Sequence, residues 1–489
     1  MSIIAALNNA TSGLSAAARR AEVTSSNIAN ATTEGYAKRS VSLAEQVVAG
    51  NGAGVRTAGI NRAVDPLITA DRRRAESDLG FLCARSNATS QLASAVGKPD
   101  DPTSLAGAYQ RLEAAFRDLA ETPESEGRQT EVLRSASGLA NTFKTLSTEN
   151  TRMRQDADVK ISRQVSEVNS ALKKLERVNR EIRIRTVGKR DTTALEDERQ
   201  RLVDQISSRL PIRQVRRENN DLLILTKEGI PLLDGDAATI SFQAATSIGA
   251  SSQYQPGGGL LSGLSVNGRD IAPGSGDAQS ISSGSLAGLF SARDEIGVQF
   301  QNKIDGLAED LVARFEDTTT DPTLTPGDPG LFTDGGLALG SPLDSGLAAR
   351  ISINDAVDPS KGGALFRLRD GLGAVAPGPV GAQEGPRRFL DALTTPRTLP
   401  AGTGQSIALS AVGAAETITS FMLLAGADGE RDFDTQSGFA SGLREAESNS
   451  VGVNVDEELQ SLILIEQSYA ANAKILEVAD RMLQLIVRI

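Results

Sequence analysis

Apolar residues near the end of the chain fall on a seven-residue beat. Val455, Leu462, Tyr469, Leu476 and Leu483 form one row, and Ile465, Ala479 and Ile486 follow its members by three, with Asn472 as a polar interruption. This three-and-four spacing places one narrow apolar seam on a helix, the pattern of a coiled coil. Asp456, Glu457 and Glu458 stand at the start, where carboxylates suit the positive end of the helix dipole, and Arg481 and Arg488 lie towards the end. The first residues answer it: Ile3, Leu7, Ala10, Leu14, Ala17, Ala21, Thr24 and Ile28 alternate steps of four and three. Two seamed helices at opposite ends predict a pair. The chain between them must then leave and return to one place.

After the first helix, Asn30, Thr32 and Thr33 compete for backbone hydrogen bonds and stop it, Gly35 permits a turn, and Tyr36 can anchor the departing strand. Residues 40–65 read as strand or loop, broken by Gly50, Gly52, Gly54 and Gly59. A helix is predicted from about Leu67 to Val96. A second runs from about Pro102 to Ala120, with Leu105, Tyr109, Leu112, Phe116 and Leu119 on one face. The third keeps its beat through Val132, Ala136, Leu139, Phe143, Leu146, Asn150, Met153 and Ala157. Two further steps of four reach Ile161 and Val165, a stutter, and Val168, Leu172, Leu175, Asn179 and Ile182 resume the rhythm. At ~1.5 Å per residue this is a rod of roughly 75 Å. Thr186-Val187-Gly188 turns it, Thr193 and Glu196 offer a capping box, and Leu195, Leu202 and Ile206 face back.

Pro211 ends the helices. Ile212–Val215 and Leu222–Leu225 read as a hairpin around Glu218-Asn219-Asn220-Asp221, and short strands continue to about residue 283, with a turn at Asn267-Gly268. Residues 286–316 return to helix, 317–346 read as a long surface loop, Ala349–Ile353 and Leu365–Leu368 as strands, and Gly371–Gly385 as another loop. Helices resume near Pro386 and lead through Ile407–Leu424 and Phe439–Ser448 to the terminal seam. The expected fold is α+β, elongated and multi-domain. Residues 1–40 with 450–489 form a terminal coiled coil; 60–210 with 286–316 and 386–449 form a helical body; 211–285 with 317–385 form a β-rich insertion.

Composition narrows the function. A chain of 489 residues allows about three domains. A formal charge of -11 argues against nucleic acid as a partner, and aromatics at 3% argue against one large core. The absence of His removes Ser-His and Cys-His catalysis. The single Cys83 lies at helical spacing with Leu79, Leu82 and Ser86 and reads as a small core residue. The start lacks a basic n-region and a long enough apolar run for a signal peptide, and no stretch of about 18 apolar residues suggests a membrane span. Asp428, Glu430, Asp432 and Asp434 alternate as in a calcium loop, yet Phe439 stands where the bidentate acid belongs, so they read as a solvated acidic loop. The basic cluster of Arg177, Arg180, Arg183, Arg185, Lys189 and Arg190 has no interleaved aromatics and reads as a solvated helix face. No catalytic, cofactor or metal site emerges.

Both ends resemble the axial proteins of the bacterial flagellum, the rod, hook and hook-associated proteins. Ser26-Asn27-Ile28-Ala29-Asn30-Ala31-Thr32-Thr33-Glu34-Gly35-Tyr36 is similar to their N-terminal signature S-N-N-I-A-N-x-N-T-P-G-Y, with Ser26, Thr32 and Glu34 replacing Asn, Asn and Pro. Gly452-Val453-Asn454-Val455-Asp456-Glu457-Glu458, Gln467-Ser468-Tyr469-Ala470-Ala471-Asn472-Ala473-Lys474 and Ala479-Asp480-Arg481-Met482-Leu483 resemble the C-terminal one, closest to the hook-associated members. Leu119–Pro123 and Arg128–Leu133 are similar to the helical body of those members, and Leu195–Ile206 to the segment that follows their long helix. The resemblance implies a structural, non-enzymatic subunit joining hook to filament at the distal hook end, with a hook or distal-rod subunit as the alternative. A secreted adhesin or carbohydrate hydrolase is a distant third. It implies export in unfolded form through the flagellar type III apparatus with an export chaperone, and an extracellular place in the flagellum. The implied partners are further copies of itself in a ring or helix, the hook protein, and a second junction protein on the filament side. The paired ends would form an inner tube. Their assembly seam is Ile3, Leu7, Leu14 and Ile28 with Leu462, Ile465, Tyr469, Leu476, Leu483 and Ile486.

Overall fold

In the computed structural model, residues 3–33, 35–48, 51–340 and 345–487 are described. Glu34, Gly50 and Arg488, which figure in the sequence patterns, lie outside them. In chain order the elements are α1 (Ile3–Ala29), β1 (Arg39–Val48), β2 (Asn51–Arg62), α2 (Pro66–Val96), α3 (Leu105–Glu121), α4 (Glu126–Val187) and α5 (Thr193–Ser207). Short strands follow: β3 (Ile212–Arg216), β4 (Leu222–Thr226), β5 (Pro231–Asp234), β6 (Asp236–Ala237), β7 (Ile240–Ser241), β8 (Ser265–Val266) and β9 (Arg269–Asp270). Then come α6 (Gly284–Ser291), α7 (Gly297–Glu316), β10 (Phe332–Asp334), α8 (Leu347–Arg350), β11 (Ile351–Ile353), α9 (Arg367–Asp370) and α10 (Glu384–Thr394). The chain closes with β12 (Arg397–Thr398), β13 (Ala408–Leu409), α11 (Ala411–Val451) and α12 (Val455–Val487). The fold is α+β, mostly helical with small antiparallel sheets. No described helix is long and apolar enough to cross a membrane.

The chain divides into two compact units. The first comprises residues 1–78, 167–239 and 436–489, the second 79–166 and 240–435. In the second, Phe116 of α3, Phe315 of α7, Phe332 of β10 and Phe389 of α10 meet with ring centroids 5.4–5.9 Å apart. Tyr109 stands edge-on to Phe143 of α4 at 6.1 Å. A few clustered rings thus serve where the whole chain has few aromatics. Arg293 is fully buried, paired with Asp158 at 2.6 Å and stacked over Phe290. Arg154 beside it donates to the carbonyls of Arg293, Gly249 and Ser252 and so fixes the loop before β8 to the helices. A Cβ at Gly297 would come within 2.5 Å of the Arg154 side chain, which is why the helix is bare there.

In the first unit, β3–β6 form a meander beside the last part of α4. The polar positions in the α4 beat have partners. Asn179 donates to the carbonyl of Leu222 and accepts from its amide at 3.0 Å; in the second unit, Asn150 donates to the carbonyl of Gly297. The basic cluster at the end of α4 is an exposed face, with Arg180 on Glu176 and Arg185 on Glu181.

Several expectations change. The 317–346 stretch is not merely surface loop, because Leu331 and Phe332 are fully buried and β10 pairs with β11. Leu365–Leu368 is not a strand; α9 begins at Arg367 and runs to Asp370, and Gly371, with a φ of 103, stops it. Ala349 and Arg350 belong to α8, so β11 begins only at Ile351. Ile407–Ser410 precedes α11, whose start is capped where Ser410 accepts from the Gly413 amide. Residues 425–438 are helical throughout, so Asp428–Asp434 is an exposed helix face and not a loop. The Thr193–Glu196 capping box does not form. Asp191 accepts from the Thr193 amide and hydroxyl, and Glu196 takes the Thr192 hydroxyl and Asn220. Cys83 is half-buried, not core.

Candidate assembly interface

α1 and α12 lie against each other in antiparallel fashion. Asn27 meets Glu458 and Gly13 meets Asn472, so fourteen residues back along α1 is fourteen forward along α12. On α1 the small seam residues Ala10, Ala17 and Thr24 are buried, while Ile3, Leu7, Leu14, Ala21 and Ile28 are half-buried. Its other side faces the hairpin, where Ser12 accepts from the Val55 amide. On α12, Ile465 and Ala479 are buried and Leu462, Leu476, Leu483 and Asn472 half-buried. Three positions of the expected seam depart from it: Val455 is exposed, Tyr469 is 49% exposed and Ile486 57%. Alanines on α1 let the backbones approach but bury too little area to cover them.

The signature residues converge where α1 ends and α12 begins. Asn27, buried, accepts from the Tyr36 hydroxyl at 2.8 Å and the Arg39 amide at 3.0 Å. It donates to the Arg39 carbonyl at 2.9 Å and to Glu458 at 3.0 Å. Its amide group is thereby satisfied at both ends, which a buried carboxamide needs. Gly35, at φ 77, makes the return turn, and a Cβ there would come within 2.7 Å of Arg201. Asn30 donates back to the Ser26 carbonyl and ends the helix, whereas Ala29 is exposed. Asn454 caps α12 by accepting from the amides of Asp456 and Glu457. Lys38 bridges Glu457 at 3.0 Å and Glu458 at 3.3 Å. Its hydrogen bond to Glu457 raises the ammonium above the usual lysine range against the opposing effect of partial burial. Asp456 is exposed.

Glu458, Lys38, Arg39, Arg62 and Asp197 are additions to the site read from sequence. Asp197 of α5, itself buried, holds Arg39 at 2.5 Å and Arg62 at 2.6 Å, and Arg39 stacks over Tyr36. For Glu458 a signal existed: the row Ile465, Asn472, Ala479 stepped back by seven lands on it. Asp197 had none, since its partners are 158 and 135 residues away. Among the described residues no cluster of three or more His, Cys, Asp or Glu could hold a metal ion.

α12 also carries a second apolar row, one residue behind the seam. Leu464, Ile475, Val478, Met482 and Leu485 follow its spacing, and all are exposed.

Three family models match the chain. One described as the flagellar hook-associated protein FlgK helical domain covers residues 89–331, one described as flagella basal body rod protein covers 7–36, and one described as flagellar basal body rod FlgEFG protein C-terminal covers 448–489. Flagellar hook-associated protein 1 of Bacillus subtilis is 23% identical over 98% of this chain and 97% of its own length. That of Salmonella typhimurium is 26% identical over 47% of this chain and 43% of its own. The solved flagellar hook junction protein FlgK of Burkholderia pseudomallei overlaps with a TM-score of 0.44 at 18% identity, over 55% of this chain and 47% of that one, too loosely to transfer any geometry.

Proposed function

We propose that this chain, which belongs to the family of flagellar hook-associated protein 1, is a structural subunit that assembles at the distal end of the hook and joins it to the filament. The observation that carries this reading is the second apolar row of α12. A helix whose inner seam is only partly covered by α1 and whose flank is also apolar has a surface prepared for neighbours. In this reading residues 1–40 with 450–489 make the shared core of a ring or helix of copies, and Ile3, Leu7, Leu14, Ile28, Leu462, Ile465, Leu476 and Leu483 register the pair. Tyr469 and Ile486, exposed in the single chain, become contacts between chains. The helical body and the β-rich residues stay outside the core. The hook protein lies on one side and a second junction protein on the other, and the chain reaches its extracellular place by export in unfolded form with an export chaperone. Its role is mechanical, without catalysis.

A rod or hook subunit is the second reading, because models of rod proteins match both ends. The match of residues 89–331 to a hook-associated helical domain favours the junction. Gold-labelled antibody on intact flagella separates the two. Label confined to the hook–filament boundary is expected, and label along the hook or within the rod would overturn the junction.

A further inference from the structure

Two clusters of charge stand outside the terminal pair, and each belongs to a mixed stripe. On the last turns of α4, Arg177, Arg180, Ile184 and Val187 follow one another by steps of three and four, and all are exposed. On α11, Phe421, Leu424, Asp428 and Asp432 do the same, with Lys303 over one face of the Phe421 ring. At ~100° per residue each set keeps within about 80° of its helix surface, and at ~1.5 Å per residue each is about 15 Å long. Ion pairs within the chain do not use these charges up. Among the described residues Arg177 and Asp432 take part in none. Arg180 holds Glu176 at 2.7 Å and Asp428 holds Arg431 at 2.9 Å, exposed pairs of the kind that contribute little. Lys173 and Lys174 add to the basic side, Glu430 and Asp434 to the acidic one. Exposed apolar residues that adjoin instead of scattering mark contact surfaces.

The two stripes run in opposite order. Towards its C-terminus α4 goes from basic to apolar, and α11 from apolar to acidic. The steps from Val187 backwards are three, four and three, and those from Phe421 forwards are three, four and four. Laid antiparallel, the helices therefore set Val187 opposite Phe421, Ile184 opposite Leu424, Arg180 opposite Asp428 and Arg177 opposite Asp432. Every apolar residue meets an apolar one and every cation an anion. Laid parallel, they would set carboxylates on Ile184 and Val187, where desolvating a charge without a partner is costly. Nor does either stripe suit its own kind, since that pairing brings like charges together or charge onto hydrocarbon. Such complementarity chooses partner and register more than it adds raw affinity. It selects the opposite stripe of a second copy. The contact is heterologous, so it does not close at two copies but continues into a ring or a helix.

We infer that the end of α4 packs antiparallel against α11 of a second copy through these stripes, a contact away from the terminal helices. This rests on the assembly reading above. With Cys83 replaced by Ala, full-length Ile184→Cys and Leu424→Cys chains are mixed, with and without isolated hook ends. They are treated with a short bis-maleimide able to span the ~8–10 Å between packed helices. The expected product is a mixed dimer, absent when Val159→Cys, exposed elsewhere on α4, replaces Ile184→Cys. Absence of that dimer in both settings overturns the inference, as does a chain with both cysteines that links only within itself. Charge reversal gives a second arm. Arg177→Glu with Arg180→Glu is expected to weaken self-association by at least about tenfold, and so is Asp428→Lys with Asp432→Lys. The fourfold variant should recover wild-type association, because every facing pair is again opposite in sign. Wild-type association by either reversed chain, or no recovery in the fourfold variant, overturns the pairing. If a reversed chain fails to fold, the cross-link decides alone. A mixed dimer from chains that never bind hook ends sustains the pairing and removes the hook-junction reading. Chains that cap hooks without the dimer do the reverse.

Discussion

α4 and α12 carry the same alternation of three and four, yet α4 hides its beat within the chain while α12 leaves much of its own outside. Of the fifteen beat positions from Val132 to Ile182, none is more than 5% exposed. On α12 only Ile465 and Ala479 of the apolar seam are buried, and a second apolar row runs beside it in the open. The difference lies in what faces them. α4 has large partners such as Tyr109, and where Asn interrupts its beat a backbone group of the same chain is waiting. α12 has α1, whose buried seam residues are Ala10, Ala17 and Thr24. Periodicity therefore specifies a helix and a face. Whether the cover for that face comes from the same chain depends on the bulk of the partner.

If this contrast holds, substitutions ranked from α4 outward should lose less and less monomer stability while harming assembly more. The largest loss is expected at Phe143→Ala. Its ring is fully buried against Tyr109, and removing it leaves a cavity worth about 3–5 kcal/mol. Chemical denaturation of the monomer measures this, and a loss below about 1 kcal/mol would mean that α4 is not the internally completed helix described here.

The sequence made α4 readable because burial on one side and water on the other leave a clean period. It made the α1–α12 pairing readable for the same reason, but not the exposure of Tyr469 and Ile486, since a pattern does not say which neighbour arrives. Phe332 was hidden as a lone aromatic in a run of Asp, Thr, Pro and Gly. The glycines of α11 misled in the opposite way. Gly426 and Gly429 look like breakers, yet a Cβ on them would come within 3.0 Å of Ala93 and 2.9 Å of Thr89, so they serve close helix packing. The Asn27–Glu458 contact spans 431 residues. It was recoverable only by letting a charged residue occupy an apolar beat.

That contact gives the second prediction. Glu458→Ala removes a buried charged acceptor from Asn27 and one of the two partners of Lys38. Hydrogen bonds to charged groups contribute roughly 1.5–3 kcal/mol, so a loss of about 2 kcal/mol is expected in the first unit. Asn27→Ala should match it, and the double variant should cost less than the sum because the two share one interaction. Strict additivity would show that they act apart. The third concerns the seam. Leu476 is half-buried, so Leu476→Ala should cost roughly 1 kcal/mol. Leu476→Asp should abolish joining to hook ends while the melting of residues 60–450 hardly moves, and normal joining by that variant would count against the seam. Amide exchange should agree, with α4 amides between 132 and 161 protected longer than those of α1 and α12.

The smallest effect on the monomer is expected from Ile475→Ser. Ile475 is 47% exposed and lies on the outer row, where a polar side chain displaces no internal contact of note. Surface changes away from special features stay within about 0.5 kcal/mol, so melting should be unchanged. Assembly should not be. In a ring or helix every copy would set a hydroxyl where its neighbour expects an apolar side chain, and the loss repeats at each contact. Lys474→Ala is the control: its ammonium holds Glu477 at 2.7 Å on an exposed face, and such pairs are worth little. Joining to hook ends should therefore fall sharply for Ile475→Ser and remain close to wild type for Lys474→Ala. If Ile475→Ser destabilised the monomer as Phe143→Ala does, its row would be covered within the chain, and the contrast between α12 and α4 would disappear.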